Sequence, residues 1–322
     1  GGIIDFDVEL AAYLINPGTR DLDLSYLLSK YLELLIEYGE NNLFSTNVTS
    51  ESILNLFKLS EILTEEMEKR ELLTLFRELE MPTMTLLAKM EEVGIGVDNS
   101  KLKGLQSEFL AIEESATKAT YLAAGSEFNV SSPKQLQQIL FDKLQLPKTK
   151  RIKTGFSTDA ESLEWLYKTT EHEVLGNILK IREFAKLRAT VDGLIESVRE
   201  DSRIHTTFQQ TVTATGRLSS TNPNLQNIPI RSEEGRRIRD SFVALPPFTE
   251  LMTADYSQIE MRIMAHLSDD QGLLRAFAEG EDLHSTVASQ VFGIPIIQVD
   301  ESMRRQIKAM SYGLAYGLSS FG

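Results

Sequence analysis

Three side chains near the C-terminal end of the sequence have the spacing of a cluster on one helix face. Arg304, Lys308 and Tyr312 stand four residues apart in "RRQIKAMSYGLAYG", and Tyr316 follows at the edge of that face. Positions four apart on an α-helix differ by only about 40° around its axis. Two cations and then aromatic rings suit a nucleoside triphosphate, because cations bind phosphates and rings pack on a sugar or base. A solvated cationic face backed by core tyrosines explains the same pattern equally well.

A carboxylate, Asp255, stands where the apolar run "LMTAD" gives way to a helical pattern that begins at Gln258. We expect the run to be a short strand that points the carboxylate into a cleft. Hard cations such as Mg²⁺ bind carboxylate and backbone carbonyl oxygens and keep waters and substrate phosphates as further ligands. Asp255 and the carbonyl oxygen of Tyr256 would supply such a pair. The alternative is that Asp255 only caps the helix.

Two further segments have the composition of a nucleic-acid contact. The stretch "TATGRLSSTNPNLQNIPIR" offers amide and guanidinium groups for phosphates, sugars or minor-groove acceptors. Residues 133–155 carry six basic side chains against one acidic side chain, and such a local excess suits phosphate contact. An ordinary polar loop and a solvated lysine-rich loop are the alternatives. The candidate residues are Arg217, Asn224, Gln226, Asn227, Arg231, Lys148, Lys150, Arg151 and Lys153.

The composition limits the classes of protein that the chain can belong to. With 322 residues and 42% hydrophobic content, the chain can form two or three domains with separate cores. It has no cysteine, which excludes disulfides and thiolate zinc sites, and it has no apolar run long enough to span a membrane. The net charge of −14 argues against nucleic acid, but residues 1–100 hold 19 acidic and 7 basic residues. The remainder is therefore nearly neutral.

Hydrophobic spacing predicts helices first, then a group of strands, then helices again. Leu, Ile and Phe recur at three- and four-residue intervals over residues 8–80 and in later segments. Asn99 or Ser100 is expected to cap a long helix. Around residues 202–220 β-branched and polar residues alternate, and two short strands are expected around Pro246-Pro247. This order predicts an α+β fold with a helical arm ahead of a sheet.

Three of these segments, in this order and spacing, resemble the bacterial DNA polymerase I family, the family A DNA polymerases. They are "TATGRLSSTNPNLQNIP", "DYSQIEMRIMAHLS" and "RRQIKAMSYGLAYG", and the resemblance extends from about Glu78 to the C-terminus. The variants "MTADYSQIEMRIMAHLS" and "KAMSYGLAYG" look most like actinobacterial members. In addition, "FNVSSPKQLQQILFDKL" resembles the tip of the family's thumb, and "AYLINPGTRDLDLSYL" the end of its exonuclease-like domain.

The resemblance implies four segments within the α+β fold. Residues 1–77 would be the remnant of an exonuclease-like domain without a working proofreading site, and 78–200 the palm entry and helical thumb. Residues 201–268 would form a partial antiparallel palm sheet with the first metal-binding aspartate, and 269–322 part of the helical fingers. The implied setting is the bacterial cytoplasm at the nucleoid, and the implied role is DNA replication and repair.

The resemblance also implies roles for single residues in template-directed transfer of a nucleotide from dNTP to a primer 3′-hydroxyl. Asp255 matches the family's first metal-binding aspartate, so that it and Tyr256 would hold Mg²⁺ in a two-metal reaction. Glu260 matches the glutamate that excludes a ribose hydroxyl. Arg304 and Lys308 match the cations that hold the triphosphate, and His284 matches a further phosphate contact. Gln258 matches a polar active-site contact, Tyr312 the aromatic beside the incoming sugar, and Tyr316 the one at the templating position. The matches to primer and template contacts are Arg217, Asn224, Gln226, Asn227 and Arg231.

One position and one missing motif distinguish the chain from many relatives. Tyr312 stands where many of them have Phe, and a phenol can replace the hydrogen bond of a missing 3′-hydroxyl, so we predict reduced discrimination against dideoxynucleotides. The family's second catalytic aspartate lies in a His-Asp-Glu motif, yet none of the four histidines here precedes Asp. We therefore expect little or no polymerase activity from the isolated chain. Either it is a fragment, trimmed at Gly1-Gly2, or another chain supplies the missing C-terminal half.

Other classes of protein stay open at this point. A non-catalytic module would bind duplex DNA through the thumb and the polar loop without any chemistry. A family A RNA polymerase is disfavoured because Glu260 is present. A generic helical scaffold would not bind primer–template even at low salt.

Overall fold

The computed structural model describes residues 4–34, 50–230, 232–315 and 317. The chain divides into two compact units between Leu251 and Met252. Helices dominate and the sheets are small and antiparallel, which confirms the α+β prediction. The four segments expected from the family resemblance are not tested by this division and stay a prediction. None of the described helices is long and apolar enough to cross a membrane.

The N-terminal part of the first unit is helical, as the hydrophobic spacing predicts. The carboxylates of Asp7 and Asp23 accept backbone N–H groups in the first turns of two helices, at 2.9 and 2.7 Å. Leu27, Leu59 and Phe76 are buried in one shared core. The elements are α1 (Val8–Ile15), α2 (Leu24–Leu32), α3 (Ser50–Lys69), α4 (Leu73–Leu75), a π-helical segment (Phe76–Glu80) and α5 (Met81–Val93).

Two long helices packed against each other support the next part of this unit. The rings of Phe109 and Phe184 meet edge to face with 5.5 Å between centroids. Arg188 Nε donates to Glu113 Oε2 at 2.9 Å on the same contact. The elements are β1 (Ile95–Val97), α6 (Asn99–Ala124), α7 (Pro133–Gln137), a π-helical segment (Gln138–Lys143), β2 (Arg151–Ile152), β3 (Gly155–Phe156), α8 (Ala160–Thr170) and α9 (Glu173–Ser197).

The predicted cap of α6 is wrong by one or two residues. Asp98, not Asn99 or Ser100, is the N-cap, and its carboxylate accepts the N–H groups of Ser100 and Lys101, both at 3.1 Å. Asp98 is the last extended residue after β1 and directly precedes the helix, so its carboxylate can accept the backbone N–H groups of the first turn that have no partner within the helix.

The C-terminal part of the first unit consists mainly of short strands. β1 is the middle strand of a three-stranded sheet in the order β4-β1-β7, and β5 pairs with β6 in a hairpin that sets Phe208 opposite Ser220. Of the two strands expected around Pro246-Pro247, only the one before them forms, as β7. The one after them is not found, since residues 249–255 are exposed and no described segment pairs with them. The elements are β4 (Arg203–Ile204), β5 (Thr207–Gln209), β6 (Ser219–Thr221), a 3₁₀ turn (Leu225–Asn227), α10 (Glu233–Arg239) and β7 (Phe242–Val243).

The second unit consists of helices around a small core. Buried Met261, Ala276 and Leu283 form this core, and the ring of Tyr312 packs against it. The helices are α11 (Ile259–Ser268), α12 (Gln271–Ala278), α13 (Leu283–Phe292), a 3₁₀ turn (Ile296–Gln298) and α14 (Glu301–Ala315). The shared core holds α14, with its predicted cationic face, in one body with the helix that follows Asp255.

Candidate functional site

The cationic helix predicted near the C-terminal end is present. Arg304, Lys308 and Tyr312 all lie on α14. The Lys308 side chain is exposed, whereas Tyr312 is partly buried against the core of the second unit. Tyr316 lies outside the described residues. The face therefore offers an exposed ammonium group one turn from a packed ring, a combination that suits a phosphorylated ligand.

Arg304 is held by a carboxylate that the sequence analysis missed. Its Nε and Nη2 donate to the two oxygens of Asp282, at 2.5 and 3.2 Å, and the Ser285 hydroxyl donates to the same carboxylate at 2.6 Å. This hydrogen bonding lowers the pKa of Asp282 and raises the pKa of Arg304. We call this pair of hydrogen bonds from Arg304 to Asp282 the Asp282–Arg304 fork. Because the fork uses one edge of the guanidinium, the Nη1 donors point away from Asp282. The only sequence signal for Asp282 was its place two residues before His284.

His284 is buried beneath this face. Its side chain is 1% exposed, and within the described part of the chain neither ring nitrogen has a hydrogen-bond partner. Burial lowers the pKa of His284, Asp282 opposes this effect, and Arg304 and Lys308 add to it. The ring is therefore neutral near pH 7. In this conformation it is not accessible from solvent, so the predicted phosphate contact requires side chains of α13 or α14 to move.

Asp255 lies in an exposed, irregular segment rather than at a strand end. The alternative that it caps a helix is wrong, because α11 begins at Ile259 with Gln258 as N-cap. Gln258 has a left-handed backbone (φ 54°), and its Oε1 is buried without a partner among the described residues. Glu260 is exposed in the first turn of α11. The segment therefore presents the Asp255 carboxylate to solvent and to any ligand.

The oxygen atoms at this position fit part of a magnesium site. The Asp255 carboxylate and the Tyr256 carbonyl are the hard donors that Mg²⁺ prefers, but the ion takes about six ligands. The described residues contain no group of three or more Asp, Glu, His or Cys side chains that could hold a metal. Waters, substrate phosphates or other protein groups would have to supply the remaining positions.

Most of the predicted DNA-contact residues near β6 are exposed on the first unit. Arg217 lies in the loop between β5 and β6, and Asn224, Gln226 and Asn227 lie at the 3₁₀ turn that follows β6. Asn224 Oδ1 accepts the N–H of Gln226 at 3.0 Å, and Gln226 Nε2 donates to the Leu218 carbonyl at 3.0 Å. These two bonds stiffen the turn. Arg231 lies outside the described residues.

The predicted basic loop is a β2–β3 hairpin with four exposed cations. Lys150 is already paired, since its Nζ lies 3.0 Å from Asp159 and 3.5 Å from Glu161. Lys148 Nζ lies 5.0 Å from the centroid of the Phe156 ring. The hairpin is completed by Arg151 and Lys153, both exposed. The hairpin therefore presents positive charge to solvent, with Lys150 partly neutralised.

Comparison with known proteins gives a consistent result. A family model described as DNA polymerase family A matches residues 99–322. DNA polymerase I of Mycobacterium tuberculosis (strain ATCC 25618 / H37Rv) is 51% identical over 329 residues, which cover 98% of this chain and 36% of the relative. DNA polymerase I of Bacillus subtilis (strain 168) is 42% identical, covering 99% of this chain and 38% of the relative. The chain thus spans little more than a third of these relatives.

A solved structure has a similar fold. The POL domain of Pol1 from M. smegmatis, in complex with DNA primer-template and dNTP, superimposes with a TM-score of 0.90 at 51% sequence identity. The match covers 98% of this chain and 55% of that chain.

Proposed function

We propose, because the chain belongs to DNA polymerase family A, that it forms part of a DNA-directed DNA polymerase. The reaction is transfer of a nucleotidyl group from dNTP to the 3′-hydroxyl of a primer, with growth in the 5′–3′ direction, in bacterial DNA replication and repair at the nucleoid. The observation that carries the proposal is the exposed cationic face of α14 beside the Asp282–Arg304 fork. The chain spans about 36% of the length of the mycobacterial relative, so the proposal includes further parts of the polymerase besides this chain.

The incoming nucleotide is assigned to the second unit. Lys308 and the remaining Arg304 donors bind the triphosphate, and the packed ring of Tyr312 supports the sugar. Glu260 rejects a ribose hydroxyl by occupying the space beside the sugar. Gln258, His284 and Tyr316 are assigned further contacts with the nucleotide and the templating position.

The metal position is assigned to the Asp255 carboxylate and the Tyr256 carbonyl. Magnesium held there, as one of two ions, would supply charge stabilisation to the transferring phosphoryl group. The chain's own contribution is to hold two oxygen ligands at an exposed position. A second carboxylate is proposed to come from the remainder of the enzyme, so the isolated chain is expected to extend primers slowly or not at all.

Primer–template DNA is assigned to the first unit. The exposed cations of the β2–β3 hairpin meet backbone phosphates, and the loop and turn around β6 meet the primer and template. This set consists of Lys148, Lys150, Arg151, Lys153, Arg217, Asn224, Gln226, Asn227 and Arg231.

The experiment that tests this assignment compares two cations on one helix. In the complete polymerase, Lys308→Ala should raise KM for dNTP at least about tenfold, as expected for one lost charge-assisted contact. Arg305→Ala is the matched control, because Arg305 pairs only loosely with Glu301 at 3.6 Å and both side chains are exposed. Equal KM values for the two variants would reject the assignment of the triphosphate to this face.

A non-catalytic DNA-binding module is the second candidate. It is favoured by the exposed Arg151 and Lys153 of the β2–β3 hairpin, because cations can contact DNA phosphates without any chemistry. Magnesium-dependent primer extension after addition of the remaining part of the polymerase separates the two functions. A module would bind the primer–template and leave its length unchanged.

A further inference from the structure

One phenol near the N-terminus is bonded to a loop that lies 200 residues later in the sequence. Tyr13 lies on α1 and is 2% exposed. Its hydroxyl donates to the Thr213 carbonyl at 2.7 Å and accepts the N–H of Gly216 at 3.1 Å. The hydroxyl therefore bridges both arms of the turn that connects β5 with β6.

Neighbouring bonds attach the same loop to the helical part of the first unit. The Thr211 hydroxyl donates to Glu9 Oε1 at 2.7 Å, one helical turn before Tyr13. Gln210 Nε2 donates to the carbonyl and the carboxylate of Glu80, at 3.2 and 2.8 Å. The loop is thus attached at three successive points along its first half, all to residues that precede it by more than 100 positions.

The turn itself has the shape that places Arg217. The Thr213 hydroxyl donates to the Arg217 carbonyl at 2.6 Å, and Gly216 has a left-handed backbone with φ 79°. Arg217 is exposed directly after this turn. Because Tyr13 holds both Thr213 and Gly216, its hydroxyl fixes the backbone from which the Arg217 side chain starts.

We propose that Tyr13 is a positioning residue for primer–template binding, which orders the β5–β6 loop so that Arg217 meets the DNA. The inference rests on the proposed function, because Arg217 is assigned to DNA only there. Ordering a loop costs conformational entropy, and a loop that is ordered before DNA arrives leaves less of that cost to the binding step. Tyr13 acts through Arg217 and does not touch the DNA.

The test is a double-mutant cycle on primer–template affinity, measured by fluorescence anisotropy with the full chain at low salt. Tyr13→Phe keeps the buried ring and removes the hydroxyl alone. Only part of the energy of its two hydrogen bonds goes into ordering the loop for DNA, so Kd should rise about fivefold, the ratio that one net hydrogen bond gives. Arg217→Ala should raise Kd at least as much, and the double variant should be no weaker than Arg217→Ala. The salt slope, measured by repeating the titration at increasing salt, should fall by about 0.9 in Arg217→Ala, which loses the cation itself. In Tyr13→Phe it should fall in the same direction, because Arg217 is then no longer held against the DNA.

A matched control and a second variant separate positioning from general stability. Tyr31→Phe, on α2, is the control and should leave Kd unchanged. Thr211→Val removes the bond to Glu9 without entering the core and should shift Kd and the salt slope in the same direction as Tyr13→Phe. A lower melting temperature with an unchanged salt slope, or effects of Tyr13→Phe and Arg217→Ala that multiply, would overturn the inference.

The outcomes also distinguish this inference from the proposed function. If the wild-type chain binds and Arg217→Ala weakens binding while Tyr13→Phe does not, the inference alone is overturned. If the wild-type chain fails to bind primer–template at low salt, the assignment of DNA to the first unit is overturned, and the role of Tyr13 with it.

Discussion

Replacing Asp282 with Asn tests whether the carboxylate before α13 fixes Arg304. That carboxylate accepts Nε and Nη2 of Arg304 and the Ser285 hydroxyl. Asn keeps the shape of the side chain, but it removes the charge and replaces one acceptor with a donor. Asp282→Asn therefore removes the charge-assisted part of the fork with little change in packing.

The expected loss of local stability is about 1 kcal/mol. Hydrogen bonds to charged groups contribute about 1.5–3 kcal/mol when shielded from water. The Arg304 and Asp282 side chains are 41% and 35% exposed, so solvent screens the pair. Exposed ion pairs contribute about 0.2–1 kcal/mol, and the upper end of that range suits a two-point fork. This energy corresponds to about a fivefold change in an opening equilibrium.

The effect of Asp282→Asn depends on pH in a direction that the ion pair determines. Hydrogen bonding to Arg304 lowers the pKa of Asp282 from its ordinary value of 3.8. A carboxyl group whose pKa is lowered on folding adds stability above its unfolded pKa, and the contribution disappears as pH falls through the folded pKa. Wild type and variant should differ at pH 7 and converge as the pH falls below 3.8.

Amide hydrogen exchange in α13 and α14 is the appropriate assay. The single tryptophan, Trp165, lies on α8 in the first unit, so its fluorescence would report on other helices. In Asp282→Asn at pH 7, α13 and α14 should exchange about fivefold faster than in wild type, and α9 should not change. Arg305→Gln is the matched control. Equal exchange rates in wild type and Asp282→Asn, or a difference that persists at low pH, would refute the reasoning.

Three further predictions concern the nucleotide surface, the DNA surface and the stability of the second unit. Tyr312→Phe in the complete polymerase should increase the preference for dNTP over ddNTP about fivefold, the ratio that corresponds to one hydrogen bond. A competition primer-extension assay measures this preference. An unchanged dNTP-to-ddNTP preference would show that the phenol hydroxyl does not assist ddNTP incorporation. Lys153→Ala should reduce the salt slope of primer–template binding by about 0.9. Lys150→Ala should reduce the salt slope less, because Lys150 is paired with Asp159. Equal salt slopes for Lys153→Ala and Lys150→Ala, in a titration from low to high salt, would contradict this. Burial lowers the pKa of His284, so the unfolded state takes up a proton first as pH falls below 6.5, and the second unit loses stability there. Hydrogen exchange of α13 should therefore become faster below this pH in wild type but not in His284→Gln. If it also becomes faster in the variant, His284 is not the source of the loss.

Local features of the fold could be predicted from the sequence because they depend on short spacing. The common face of Arg304, Lys308 and Tyr312 follows from the helical repeat alone. The family resemblance, drawn from three segments, is confirmed by the family match over residues 99–322. The cap at Asp98 was missed because adjacent polar residues compete for the same position, and only the end of β1 decides between them.

Features that depend on tertiary contacts could not be predicted in this way. The strand expected at residues 251–255 needs a neighbouring strand, and an apolar run does not reveal whether one is present. The partner of Arg304 is Asp282, which only the packing of α13 on α14 brings near. Tyr13 and its loop are 200 residues apart. The roles assigned to single residues, and the exonuclease-like remnant at 1–77, stay predictions.

The most direct test of the central claim is the rate of nucleotidyl transfer by the complete polymerase carrying Asp255→Asn. The rate should fall at least about a thousandfold at saturating dNTP and Mg²⁺, because a ligand of the reacting centre is lost. Asp269→Asn, an exposed acid in the same unit, should retain the wild-type rate. A rate for Asp255→Asn equal to that of Asp269→Asn would contradict the account.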